Sequence, residues 1–394
     1  MANLFIVPQF IFSGENALNA SMDQIASFGK KPMIVTDQSM INFGFAKKLT
    51  DELEDQGLSY YLYAEINTEP THVMIDKGVE LYENEDCDFL IALGGGSPLD
   101  AMKAIGAVYT NGGNIREYFG KKIVNHLPKM CAIPTTAGTG SEATKVSIIT
   151  NTDTDVKMLL LDPKLMVDLT VLDSDFTLTV PPEVTAATGV DALTHAIEAY
   201  TSLKAFPMSD LFAVSAVEKI FVNLYEVYVN GTNAAARREM SIAAFEAGVA
   251  FSNASVTIVH GMSRPIGALF HIPHGMSNAM LLKTCLNFIK PGAVSKLNEL
   301  AKAIGAYRVG MTEEEGADAF VTATTALLRA LKIKTPMDYG VTKDEFFKQI
   351  PKMASDAIAS GSPLNTRRTP SKEDLQELYA KFWYECDIEM ASRS

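Results

Sequence analysis

Through its first 180 residues the chain alternates short apolar, β-branched runs with amphipathic stretches, and no other feature restricts the fold as much. Segments 31–36 (KPMIVT), 59–63, 88–93 (DFLIAL) and 130–133 read as strands. Between them, 45–56, 73–83 and 98–109 carry apolar residues at three- and four-residue spacing, the period of a helix buried on one face. Strands joined through helices need crossover connections, so a mostly parallel, Rossmann-like α/β sheet is expected. Segments 146–150 and 158–161, joined by the polar turn 151–155, predict a late hairpin.

The pattern changes at Pro181-Pro182. Segments 183–203, 209–228, 234–252, 296–304, 313–331 and 372–386 are long, rich in Ala, Leu and Met, and read as helices. Two domains follow, an α/β domain over 1–184 and an all-helical domain over 185–394, and 394 residues exceed what a single core usually serves. The formal net charge of -13 argues against nucleic acid or an anionic membrane as a partner. The N-terminus lacks a basic segment, no apolar run is long enough for a bilayer, and the four cysteines form no Cys-x-x-Cys pair. A cytoplasmic location is expected.

The predicted strand 88–93 runs directly into Gly94-Gly95-Gly96-Ser97. Ser97 suits an N-cap, Pro98 the first helical position and Asp100 the third, so a helix starting at Ser97 would aim its free N–H groups at the glycines. Such a turn suits phosphate oxygens, although a capped helix after a tight turn is the plainer reading. It matches neither a Walker loop nor Gly-x-Gly-x-x-Gly, and Gly138-Thr139-Gly140-Ser141-Glu142-Ala143 is a weak second match. Asp37 ends the strand KPMIVTD, where a carboxylate can accept from a ribose 2′-OH and would repel a 2′-phosphate; this favours NAD over NADP.

Asp191 and His195 stand four apart in GVDALTHAIEAY and share one helix face. His260 and His274 flank HGMSRPIGALFHIPHG, whose glycines and prolines predict turns between them; His271 is an alternative to His274. Three imidazoles and a carboxylate suit a borderline divalent ion, Fe²⁺ or Zn²⁺, and not Ca²⁺ or Mg²⁺.

The stretches 91–106, 133–144, 178–200 and 260–275 together resemble the iron-containing (group III) alcohol dehydrogenases, which share a fold with dehydroquinate synthase and glycerol dehydrogenase. The resemblance spans nearly the whole chain. It implies that Asp191, His195, His260 and His274 hold the metal and that Gly94, Gly95, Gly96 and Ser97 bind the pyrophosphate. It further implies that Asp37 meets the ribose, that Thr135, Thr136, Thr144 and Lys157 line the cofactor cleft between the domains, and that the protein is a homodimer or higher homo-oligomer. Arg264 stands where relatives commonly carry a histidine beside the nicotinamide, and Glu69 where they often carry Asn. A permanent cation cannot relay a proton as imidazole does, which leaves water, ribose hydroxyls or His271 for that task.

The activity implied is hydride transfer between a small primary alcohol or diol and NAD, at a Fe or Zn ion acting as Lewis acid. Arg264 adds an alternative substrate, an ω-hydroxy acid or phosphonate whose anion pairs with the guanidinium; pairing with a protein carboxylate or the cofactor is the plainer expectation. A lyase of the dehydroquinate synthase type and a non-enzymatic metal- or nucleotide-binding protein are the competing classes.

Overall fold

The computed structural model describes residues 2–154 and 156–393. Its strands are β1 (Phe10–Gly14), β2 (Pro32–Val35), β3 (Tyr61–Tyr63), β4 (Phe89–Gly94), β5 (Met130–Pro134), β6 (Val146–Asn151), β7 (Val156–Leu161) and β8 (Leu169–Asp173). Six of them form one parallel sheet in the order β1-β8-β5-β4-β2-β3. Every residue of β2, β4, β5 and β8 is buried, as in a sheet covered on both faces. Alternate residues serve opposite sides: Met33, Leu90 and Ala92 join one apolar core, Ile34, Phe89 and Ile91 the other.

The helices of this region are α1 (Ala17–Ala26), α2 (Gln38–Asn42), α3 (Phe45–Asp55), α4 (His72–Asn84) and α5 (Gly96–Asn111). The chain leaves β2 toward β3 on one side and leaves β4 toward β5 on the other. The turns after β2 and β4 therefore part, and in parallel α/β sheets ligands bind in that crevice. Asp37 and Gly94–Ser97 sit on those two turns.

The remaining helices are α6 (Pro182–Thr201), α7 (Pro207–Val229), α8 (Ala234–Ala254), α9 (Ile258–Phe270), α10 (His274–Ala303), α11 (Glu313–Ala330), α12 (Lys343–Ala359) and α13 (Lys372–Arg393). The predicted helix 296–304 is the end of α10, a 30-residue helix bent at Ala293 (φ -137°, ψ 21°) just after Pro291. Among the described residues no single helix is long and apolar enough to cross a membrane, and all four cysteines are buried.

Several expectations are revised. The chain forms two compact units, one of Ile6–Val180 with Gly231–Ser252, the other mainly Pro181–Asn230 and Asn253–Ser394. Nearly all of α8 thus groups with the α/β unit rather than with 185–394. Its Ala-rich sequence does not show which core it serves, but Gly248 does: a Cβ on Gly140 would lie 2.6 Å from the Gly248 Cα. Helix α5 begins at Gly96 with Gly95 as N-cap and no side-chain cap, so Ser97 and Pro98 lie inside the first turn. The turns expected across 260–275 are mostly helix. Gly261 and Pro265 lie inside α9, and Gly261 is required there because a Cβ would come 2.5 Å from the Pro363 ring. Strands β1 and β8 and helices α1 and α12 were not anticipated, although α1 and α12 are amphipathic. The hairpin is present, with Val146 opposite Leu161; Asp155, the last residue of its predicted turn, lies outside the described residues.

Candidate metal centre and dinucleotide loop

In the α/β unit, Asp37, Ser39, Asn67, Thr68, Gly95, Gly96, Ser97 and Pro98 line a cleft of about 240 Å³. Gly94 has φ 150° and a Cβ there would strike Pro98 at 2.7 Å, so only glycine lets the strand end turn into α5 this tightly. A Cβ at Gly95 would meet nothing nearer than Thr136 Oγ1 at 3.7 Å, so its absence keeps the space above the helix open. With no side chain capping α5, its first N–H groups stay available to an anion. Asp37 Oδ1 accepts from Ser39 N (2.7 Å) and Met40 N (3.2 Å) as the N-cap of α2. Its Oδ2 lies on the Gly94 side of the cleft, 3.3 Å from where a Gly94 Cβ would stand.

The other expected cofactor residues are placed differently. Thr135 is buried and its N–H donates to Gly94 O (3.0 Å), extending the sheet, while Thr136 faces Gly95. Thr144 is buried with Oγ1 3.2 Å from Lys103 Nζ. Lys157 donates to Glu69 Oε1 at 2.7 Å, so the unusual Glu69 is the partner of that lysine.

Lys103, which the sequence reading did not single out, is wholly buried. Its ammonium reaches Ser141 O (2.6 Å), Thr144 O and Val146 O (2.9 Å each), and the Ser141 and Thr144 hydroxyls (3.2 Å each). Asp100, one turn earlier, accepts from Ser141 Oγ (2.6 Å) and Ile148 N (3.0 Å). Burial pulls Lys103 down to about 8, against the carboxylates of Asp100 and Glu142, which hold its proton.

In the helical unit, one donor atom each of Asp191, His195 and His260 lie within 4.8 Å of one another, all three residues buried. Asp191 and His195 come from successive turns of α6, as their spacing predicts, and His260 from the first turn of α9. His274 opens α10, with Nε2 4.0 Å from Asp191 Oδ1; His260 Nε2 lies 3.7 Å from the same oxygen. Gly275 allows that approach, since a Cβ would sit 2.7 Å from Ala187 O on α6. His271, the alternative ligand, is an exposed αL residue (φ 54°) closing α9.

Further residues complete the surroundings. Glu198 Oε2 lies 2.5 Å from His260 Nδ1, and its Oε1 accepts from Thr257 Oγ1 (2.8 Å) and Val259 N (2.6 Å). The proton thus belongs on His260 Nδ1, leaving the Nε2 lone pair directed at Asp191. Asn278, four residues after His274, places Nδ2 2.7 Å from Asp191 Oδ1, 3.1 Å from His260 Nε2 and 3.3 Å from His274 Nε2. Both follow a candidate ligand on a helical face, Glu198 three after His195 and Asn278 four after His274, and that spacing is the one signal by which the sequence offers them.

Electrostatics agree with a cation at this point. Burial, with help from Glu198, pushes Asp191 up to about 7; burial pushes Glu198 up to about 7 also. Burial, reinforced by Arg264, holds His260 well below its ordinary value and so in the neutral form that binds metals. A desolvated carboxylate among imidazole lone pairs is relieved by a divalent ion, and the donor set fits one. Arg264, one turn beyond His260, donates to Ser362 Oγ (3.1 Å), and no carboxylate of the described residues is within ion-pair distance of it.

An open glycine turn at the end of a parallel strand and a cluster of donor atoms that could hold a divalent ion are together what a metal-assisted, dinucleotide-using oxidoreductase requires. Comparison with known proteins agrees. Residues 8–174 match the family model "Iron-containing alcohol dehydrogenase", and 185–383 match "Fe-containing alcohol dehydrogenase family, C-terminal". Lactaldehyde reductase of Escherichia coli (strain K12) is 34% identical over 97% of this chain and 100% of its own length. The crystal structure of a 1,3-propanediol oxidoreductase superposes with TM-score 0.94 at 31% identity, covering 97% of this chain and 100% of that one. A sulfoacetaldehyde reductase from Bifidobacterium kashiwanohense, in complex with NAD+, superposes with TM-score 0.87 at 26% identity over 97% and 99%. The chain belongs to the iron-containing alcohol dehydrogenase family and is an alcohol dehydrogenase oxidoreductase of that family.

Proposed function

We propose that this enzyme passes hydride between a small primary alcohol or diol and NAD, using a divalent ion held by Asp191, His195, His260 and His274. The observation that carries this reading is the meeting of buried acceptor atoms from α6 and α9 around one point, with the exposed His274 of α10 approaching the same carboxylate. The family's iron content favours Fe²⁺ over Zn²⁺. When bound, the ion supplies Lewis acidity at the oxygen of an alcohol or aldehyde, and the nicotinamide supplies the hydride acceptor or donor.

The chain's own residues bind and orient. The N–H groups at the start of α5, with Gly95, Gly96 and Ser97, take the pyrophosphate. Asp37 keeps one carboxylate oxygen on its cap and offers the other to ribose hydroxyls, which supports NAD over NADP. Thr135, Thr136, Thr144 and Lys157 shape the rest of that site, Thr144 acting through Lys103. Glu198 fixes the His260 ring so that Nε2 faces the ion. A homodimer is supported by exposed apolar residues along α7, Met208, Leu211, Val222, Tyr225 and Val229. Four scattered, buried cysteines support a cytoplasmic location.

Anaerobic reconstitution with Fe²⁺ or Zn²⁺, then assay of NAD⁺ and NADP⁺ reduction over a panel of primary alcohols and diols, tests the reading. NADH should accumulate with Fe²⁺, and faster than NADPH. No reduction with either ion on any alcohol would refute it, and turnover without net NADH would favour the lyase.

Arg264 supports a second substrate reading, an anionic alcohol or aldehyde. Its guanidinium is engaged by a hydroxyl rather than a carboxylate, and one relative is named for sulfoacetaldehyde, whose sulfonate is such an anion. Arg264→His should lose at least tenfold more kcat/KM on sulfonate- or carboxylate-bearing aldehydes than on neutral ones. Equal relative losses on both would dismiss the anion pocket.

A further inference from the structure

The acceptor atoms at the ion site are bridged by a side chain outside the four candidate ligands. Asn278 is fully buried, and its amide nitrogen lies within 3.3 Å of Asp191 Oδ1, His260 Nε2 and His274 Nε2. Chemistry fixes which end of the amide faces them. His260 carries its proton on Nδ1 against Glu198, so Nε2 is a lone pair, and the Asp191 carboxylate, once ionised, only accepts. A carbonyl oxygen turned toward them would meet lone pairs at hydrogen-bond distance, and only the NH₂ end can lie there. Its two hydrogens are shared among these three acceptors. The other end of the amide is unsatisfied, for Asn278 Oδ1 is buried with no hydrogen-bond partner among the described residues.

An asparagine chosen only to fill space would not leave its oxygen stranded while its nitrogen bridges two imidazoles and a carboxylate. Leucine has nearly the same size and brings no polar atom of its own into the core. We propose that Asn278 is a positioning residue of the metal centre. Before the ion arrives, its amide draws Asp191, His260 and His274 into their converged arrangement. With an ion held by the imidazole lone pairs, the amide N–H would stay on Asp191 and fix the orientation of that carboxylate. Placement on α10 one turn after His274 ties the carboxylate of α6 to the helix that carries the exposed fourth histidine. The inference rests on the reading of Asp191, His195, His260 and His274 as a metal centre, and it assigns Asn278 an effect on ion affinity and coordination geometry.

Co²⁺ titration of metal-free protein, followed by visible absorbance and chelator competition, measures both. In Asn278→Leu, Co²⁺ should bind about 10–100-fold more weakly than in wild type, with an altered absorption band, as when other hydrogen-bond partners of metal ligands are removed. Dissociation constants for NAD⁺ should stay within twofold, because the dinucleotide loop belongs to the other compact unit. Asn278→Ser, which leaves room for a water, serves the same comparison if the leucine variant does not fold, with a smaller loss of affinity. Wild-type Co²⁺ affinity and spectrum in either folded variant would overturn the role of Asn278 while leaving the metal centre standing. Failure of wild-type protein to bind Co²⁺, Zn²⁺ or Fe²⁺ would overturn the metal centre itself.

Discussion

The Glu198 carboxylate uses both oxygens within one short segment, accepting from Thr257, Val259 and His260 at the start of α9. It thereby decides which nitrogen of His260 carries the proton, and the ionised carboxylate makes the facing lone pair a better donor to a cation. Glu198→Gln preserves shape but removes the charge and puts an NH₂ where one of the two accepting oxygens stands. It should weaken divalent-ion binding about 10–100-fold, measured by chelator competition, with little change in the helical signal by circular dichroism. Unchanged ion affinity would show that the carboxylate serves only to cap α9. Residues of this kind were hard to read from sequence for a plain reason. Asp191 and His195 announce themselves because acid and imidazole four apart suit an ion. Glu198 and Asn278 obey the same helical spacing, but their meaning depends on α9 and α10 returning to α6, which no local pattern encodes. Arg264 is the reverse case: its position was conspicuous, and the structure supplied its partner, Ser362.

At the scale of elements, α5 is more than a helix with an uncapped N-terminus. Ten of its residues are buried from Pro98 to Val108, Lys103 among them. A lysine inside such an apolar helix is an anomaly visible in sequence, although only the fold shows that its ammonium gathers the 141–146 segment. Lys103→Met would leave three carbonyls and two hydroxyls without their donor, and Asp100 without a counter-charge. Breaking a buried charged network costs about 3–5 kcal/mol, so the urea midpoint should fall clearly and NAD⁺ binding should weaken with it. A variant as stable as wild type would mean the segment is held by other contacts. The start of α5 makes a related point. A serine followed by proline reads as a cap, yet a cap would occupy the N–H groups that the glycine turn leaves free, and the helix begins at Gly96 instead. Local preference gave way to a site.

At the scale of the molecule, the α/β alternation and the switch to helices near Pro181 were legible because burial on one or both faces imposes a period. What escaped was β1, β8 and the pairing order, which depend on partners about 160 residues away, Phe10 with Leu169 for example. The glycines and prolines of 260–275 misled for a related reason. They serve close packing and helix starts, as Gly261 does against Pro363, where a local reading sees only turns.

The return of Gly231–Ser252 to the α/β unit bears on how such a protein can be taken apart and how it can have been put together. Because the chain leaves and re-enters each unit, neither corresponds to one uninterrupted stretch of gene. A cut at residue 184 would strip the sheet unit of Gly248 and leave the Gly140 loop without its neighbour. Recombination between relatives at a single crossover would likewise part that loop from the helix shaped to receive it. The two units are therefore hard to exchange separately between relatives, and a change in either is more readily made by substitution within it than by importing a ready-made unit.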